Sequence, residues 1–294
     1  MSDPSASLSE LRRRIDEIDD AIHDLVMQRA QLVDATRAAK AGTVTGSFAP
    51  GREAQILRRL LERHRGRFPR AAIVRIWREI VTAMVGLQGP FAVAVYCPDN
   101  EPGYWDLVRD HFGVVAPIAS QRSVRGVVQA VGDGSATVGV VPVPQDGEAD
   151  AWWRALDGGA SQHLRIVARL PFAPTANLRQ ENLEALVIGK IAQEPTGADR
   201  SFMIVEASAD VSRGSLSAIL TGAGMAPRTI VTALATPDSP VVAHLVEVGD
   251  FVGEADPRLA ALVEAERGRL DRITVVGGHA SPLPAAALAP VREG

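Results

Sequence analysis

The residues of this chain best suited to chemistry stand where apolar ones belong. From Leu8 onward, apolar residues recur at Leu11, Ile15, Ile18, Ile22 and Leu25, a three-four spacing that draws one stripe along a helix. The next place in that series is Arg29, after which Leu32 resumes the stripe. A cation on an apolar seam needs an anionic partner, supplied by the protein or by a ligand. Lys40 follows eleven residues later, about 20° round the helix at ~100° per residue, and shares that face. Of the 31 basic residues only Lys40 and Lys190 are lysines. Two cations on one seam point to a site for a small anion.

The elements that must position them follow from the punctuation. Ser7 and Glu10 form an S-x-x-E capping box that fixes the start of the first helix. Neither proline nor glycine interrupts it before Gly42, which predicts a helix about 50 Å long at ~1.5 Å per residue. So long a single-seamed helix pairs with a partner, here the same helix of a second subunit. A loop over 42–51 precedes a second helix from Arg52 with Ile56, Leu57, Leu60 and Leu61 inward, and Glu53 shares that side. Pro69 opens a third helix with Ile73, Ile76, Trp77, Ile80, Met84 and Leu87 inward. Gln88 stands on the same face before Gly89-Pro90 ends it.

Composition narrows the classes. The chain has 294 residues, 46% hydrophobic and 22% charged, with a net charge of −4, which disfavours nucleic acid as a partner. One cysteine, Cys97, excludes an internal disulfide and a thiolate metal cluster, and it reads as a buried strand residue. The six histidines show no ligand spacing, and no metal or cofactor is expected. Asp106, Asp110 and Asp146 read as solvated charges. No signal-peptide pattern and no run long enough to span a bilayer are present, so a cytoplasmic protein without a membrane partner is expected.

After residue 90 the character changes. Phe91–Cys97 and Thr137–Val143 read as buried strands separated by helical stretches at 104–112 and 121–132, a mostly parallel α/β unit. A polar connection over 171–182 leads to a strand at Ala185–Gly189, and 194–199 reads as a linker. The last section predicts a strand at 202–207, a helix near 214–223, strands at 228–235 and 240–248, a helix at 257–268 and a strand at 271–276. That order, βαββαβ, is ferredoxin-like. The expected organisation is multidomain: an all-α unit over 1–90, an α/β unit over 91–192, a ferredoxin-like α+β unit over 198–280 and a disordered tail over 281–294.

The helical section resembles the all-α chorismate mutases, intertwined homodimers of three-helix subunits. The resemblance rests on Leu11-Arg12, Arg29, Lys40, Arg52-Glu53 and Gln88 at the family's spacing. It implies chorismate as substrate and a [3,3] rearrangement to prephenate. Arg12 would reach into the partner subunit's site to bind one carboxylate, and Arg29 would bind the other. Lys40 and Gln88 would donate to the ether oxygen, Glu53 would accept from the ring hydroxyl, and Arg52 would line the pocket. The family often has aspartate where Ala49 stands, and a small polar residue where Met84 stands. Because residue 88 is a neutral glutamine, turnover should change little between pH 5 and 8.

Downstream, the order of sections resembles the bifunctional chorismate mutase–prephenate dehydratases. Gly139–Val143 and Ala185–Gly189 look like two of that family's strands. Pro144-Gln145-Asp146 and Leu183-Glu184-Ala185 stand where its catalytic letters would be, and about forty residues replace a whole lobe. A cleft between two lobes cannot form from one lobe, so an inactive, shortened dehydratase-like unit is expected. The final section resembles an ACT domain, which implies an amino-acid effector. Arg213-Gly214-Ser215-Leu216 keeps a trace of one effector segment, whereas Leu234-Ala235-Thr236-Pro237 keeps only the proline of the other. Two further readings stand beside the mutase: a working bifunctional enzyme, and a non-catalytic regulatory protein that binds chorismate-like ligands.

Overall fold

The computed structural model describes residues 7–39, 48–99, 102–148, 150–158, 164–174, 182–234 and 240–289. Helix α1 (Leu8–Ala39) is 32 residues long, about 48 Å at ~1.5 Å per residue. Ser7 Oγ accepts from the Glu10 amide at 3.3 Å, so half of the capping box forms, while the Glu10 carboxylate turns to Arg13 at 2.7 Å. Its apolar stripe lies open, from Leu11 at 41% exposed through Ile18 at 58% to Leu32 at 65%. Helix α2 (Pro50–Arg63) starts two residues before the expected Arg52, because Pro50 fits the first helical turn, where its missing N–H costs nothing. It buries Glu53, Ala54, Leu57 and Leu61.

Helix α3 (Arg70–Gln88) departs further from expectation. Its buried residues are Val74, Arg78, Val81, Thr82, Met84 and Val85, whereas Ile76 and Leu87 are exposed. The expected stripe is real, but most of it lies on the flank away from the chain's own core. The deeper face turns toward the section that follows, where Phe48, Val81 and Val85 share one apolar cluster with Phe91, Leu107 and Phe112.

Nine strands then build one sheet: β1 (Val93–Tyr96), β2 (Ile118–Gln121), β3 (Val138–Pro142), β4 (Arg165–Leu170), β5 (Ala185–Gly189), β6 (Asp199–Ser208), β7 (Pro227–Thr232), β8 (Val241–Val248) and β9 (Leu270–Ala280). Their spatial order is β2-β1-β3-β5-β4-β9-β6-β8-β7. The first five, with α4 (Gly103–Phe112) and α5 (Val124–Gly132), form a single lobe in which β1 runs parallel to β2 and β3, while β5 is antiparallel to β3 and β4. Between β3 and β5 the described residues carry only a short 3-10 helix, Trp152–Leu156, and β4. The last four strands, with α6 (Arg213–Gly222) and α7 (Pro257–Ala265), have the ferredoxin-like order β9-β6-β8-β7 and are antiparallel throughout.

The two halves meet where β4 runs parallel to β9 through the pair Ile166 and Gly277. Gly277 has φ +111°, and a Cβ there would overlap the Ile166 carbonyl and stand 2.7 Å from its nitrogen, so only glycine lets the backbones approach. Beside this join, Glu247 of β8 is buried at 3% exposure. It accepts from Arg169 of β4 at 3.2 Å, from Arg200 of β6 at 3.1 Å and, longer, from Thr229 of β7 at 3.5 Å, with His279 of β9 at 3.6 Å.

Several expectations are corrected here. Residues 281–289 are not a disordered tail: Leu283 is buried against Phe172, and the 3-10 helix Ala285–Leu288 is tied to Arg70, whose guanidinium donates to the Ala287 carbonyl at 3.0 Å. Asp146 is not a free charge, since it accepts from Arg213 at 2.7 Å and from the Thr232 amide at 2.9 Å. Asp110 pairs with Arg75 at 3.1 Å. Cys97 falls one residue past β1 and is half-buried. Among the described residues no helix is long and apolar enough to cross a membrane.

Burial opposes the charge on Glu247, but the bonds from His279, Arg169 and Arg200 outweigh it and hold the carboxyl at about 2, below its usual 4.5. A carboxyl depressed on folding stabilises the protein above its unfolded value, and the contribution is lost as pH falls through the folded one. That difference is worth about 3 kcal/mol at ~1.4 kcal/mol per unit. Glu247→Gln should therefore lower unfolding free energy by about that much at pH 7. In urea titrations the deficit should shrink from about pH 4.5 toward pH 2.

Candidate functional site

The first turn of α2 and the middle of α3 place two opposite charges inside the protein. Glu53 is 8% exposed and Arg78 is 6% exposed, and the Arg78 Nη1 donates to Glu53 Oε2 at 2.8 Å. The guanidinium lies 5.2 Å over the Phe172 ring, from the segment that follows β4. Burial pushes the Glu53 carboxyl above its usual value of 4.5, opposed by Arg78 and, more weakly, by Arg29. Burial likewise lowers Arg78, against the pull of Glu53 and Asp110. His111 of α4, buried beside them, is held well below 6.5 by burial and by the charge of Arg78, so it is neutral at pH 7.

Each expected site residue has a definite place, with one exception. Arg29 is half-buried on α1 and lowered by burial, and the charge of Glu53 reaches it, so these two expected residues do come together. Gln88 is half-buried at the end of α3, its Nε2 3.5 Å from the Met84 carbonyl, and Met84 itself is buried. Ala49 is half-buried and caps α2 through its backbone, its carbonyl accepting from the Glu53 amide at 3.1 Å. Arg52 is exposed, within 3.5 Å of Gln55. Arg12 is exposed near the start of α1. It stands 17 residues before Arg29, about 25 Å away along the axis, so it does not join Arg29 and Glu53 within one chain. Lys40 lies outside the described residues.

The residue that sequence reasoning missed is Arg78. Val74, Arg78, Val81 and Val85 repeat at helical spacing, so Arg78 is a cation on an apolar seam by the same logic that singles out Arg29. The signal was present but masked by the larger side chains of the neighbouring stripe.

Residues 11–89 match the family model of chorismate mutase type II. This segment is a chorismate mutase family domain. The bifunctional chorismate mutase/prephenate dehydratase of Aquifex aeolicus is 33% identical over 194 residues, covering 63% of this chain and 53% of that protein. Its counterpart in Pseudomonas aeruginosa is 27% identical over 146 residues, covering 48% of this chain and 40% of that protein. The chain therefore spans about half the length of the curated relatives it matches. Among solved structures, the prephenate dehydratase of Streptococcus mutans bears a distant likeness in fold, with a TM-score of 0.46 and 13% identity over 65% of this chain and 98% of that one.

The arrangement suits a ligand that carries both anionic and hydroxyl groups. Arg29 offers a charge-assisted clamp for a carboxylate. Glu53, held on one oxygen by Arg78, keeps a second oxygen as an acceptor. Gln88 closes the row as a neutral donor.

Proposed function

We propose that the mutase domain converts chorismate to prephenate. The observation that carries this reading is the meeting of Arg29 and Glu53 inside a segment that matches the mutase family model. In the rearrangement one carbon–oxygen bond breaks as one carbon–carbon bond forms, with no covalent intermediate and no external electron donor. Catalysis then means holding a dianion in its reactive conformer and stabilising the charge that builds on the ether oxygen. Arg29 binds one carboxylate, Lys40 and Gln88 donate to the ether oxygen, Glu53 accepts from the ring hydroxyl, and Arg52, Ala49 and Met84 line the pocket.

The same reading calls for a homodimer. Arg12 sits about 25 Å from Arg29 along one helix and serves the partner subunit's site, and the open stripe of α1 is the surface that pairing covers. We also propose that the lobe over 91–192 is a dehydratase-like unit without dehydratase activity. Its support is the 42-residue interval from the end of β3 to the start of β5, which is too short for a second lobe. The ferredoxin-like order of the last section supports an ACT-like unit, where an amino-acid effector would bind. Of the second effector segment, Ala235–Pro237 lie outside the described residues.

The deciding experiment gives purified protein chorismate and follows both its loss and its products. Prephenate accumulating as the endpoint is expected. Conversion to phenylpyruvate would restore the bifunctional reading, and no chorismate loss would favour a regulatory binding protein. Arg29→Ala should reduce kcat/KM by at least a hundredfold while the dimer stays folded, as circular dichroism and light scattering would report. Near-normal turnover in that variant contradicts the assignment. On the dimer, Ile18→Asp should yield monomers in sedimentation and lose turnover in parallel, since a charge placed mid-stripe cannot be buried against a partner.

The structure also revises the expected pH profile. Neutral Gln88 leaves the rate level from pH 7 to pH 8. Glu53 acts as the anion, so the rate falls as pH drops through its folded value, which burial places above 4.5. This acid limb should disappear in Glu53→Gln, measured at saturating chorismate.

A further inference from the structure

Glu53 is approached by cations from two elements, Arg29 of α1 and Arg78 of α3. Only Arg78 makes a hydrogen bond to it, and that bond comes from a guanidinium as deeply buried as the carboxylate. A stability argument does not account for this pair. Buried ion pairs on average add little to folding, and apolar residues of the same volume serve as well or better. Nor is Arg78 filling a gap at the surface: it lies over Phe172, next to neutral His111, with Asp110 of α4 the only other carboxylate whose charge reaches it.

We infer that Arg78 is a positioning residue for the mutase reaction, holding the Glu53 carboxylate ionised and turned so that its second oxygen meets the substrate hydroxyl. The inference rests on the assignment of Glu53 proposed above and adds a residue that no expected role included. Arg78 does not touch substrate. It fixes one oxygen of the acceptor at 2.8 Å and supplies the charge that offsets the acceptor's burial. The charged groups facing Glu53 are then fully named: Arg29 and Arg78 directly, with Asp110 and His111 beyond Arg78.

The test uses the full chain and compares Arg78→Gln with Arg78→Lys. Glutamine keeps a donor but removes the charge, and lysine keeps the charge but loses the planar fork. In Arg78→Gln the acid limb of kcat should move up by at least one pH unit, so that its deficit against wild type grows about tenfold per unit on lowering the pH. In Arg78→Lys the limb should stay within half a unit while kcat falls at least tenfold at unchanged KM. A limb unmoved in Arg78→Gln, or moved equally in both variants, overturns the proposal and leaves Arg78 a packing residue. If Arg78→Gln does not fold, Arg78→Lys decides, because a rise in KM at constant kcat contradicts a role through Glu53. Wild-type turnover of chorismate is measured first. Its absence overturns the mutase reading, while the carbon-13 titration of the Glu53 carboxyl in wild type and variants still tests the pair itself: an equal midpoint in wild type and Arg78→Gln contradicts it.

Discussion

A carboxylate taken out of water must be compensated at short range, and two junctions of this protein are built on that constraint. Glu53 lies where the helical segment meets the lobe, and Glu247 lies where the lobe meets the ferredoxin-like section. Both are met by arginine from other elements, as suits a chain with only two lysines: the guanidinium spreads its donors over a planar fork. Yet the two carboxyls are shifted in opposite directions. Glu247 has two arginines, a histidine and a threonine around it, and is held at about 2. Glu53 has one bonded arginine and complete burial, and is raised. The first is a fully satisfied fastening. The second is left short of partners, which is the condition of a group that still has a bond to make.

How much of this was legible depended on periodicity. The three helices, the strands at 93–96, 138–142 and 185–189, and the whole βαββαβ order carry clear apolar patterns, and they form near the expected places. Strand β2 was folded into a helix reading because Ile118–Gln121 is short and half-exposed, with only its ends screened from water. Strand β4 went unread although Ile166, Val167 and Ala168 are buried, since a short apolar run on its own does not separate strand from helix. The parallel contact of β4 with β9 has no local signature except Gly277, whose need for a positive φ shows only once the two backbones are brought together.

The site was legible in the same uneven way. Arg29 announced itself because its neighbours on the stripe are large and apolar, and Glu53 followed from its offset to Ile56 and Leu57. Arg78 satisfies the same criterion, but α3 has two apolar flanks, and the bulkier one, with Ile73, Ile76 and Ile80, drew the assignment. That flank remains partly open beside the open stripe of α1. A helix that turns its valines inward and leaves its isoleucines outward has its larger surface still to bury. This fits the pairing of subunits proposed for the mutase domain.

The lobe's persistence without a partner lobe then has a physical reason. Phe172, over which the Arg78 guanidinium lies, belongs to the segment leaving β4, and His111 and Asp110 belong to α4. Phe91 and Phe112 pack with Phe48, the residue two before α2 begins. These contacts bury the far side of α2 and α3, the side that faces away from Arg29. A three-helix segment cut at residue 90 would expose Arg78 to water, and its hold on Glu53 would weaken with the rise in local dielectric. Under the proposed assignment, the section that lacks dehydratase letters still shapes the chemistry: it keeps the cation behind the acceptor buried, and so keeps the acceptor in place.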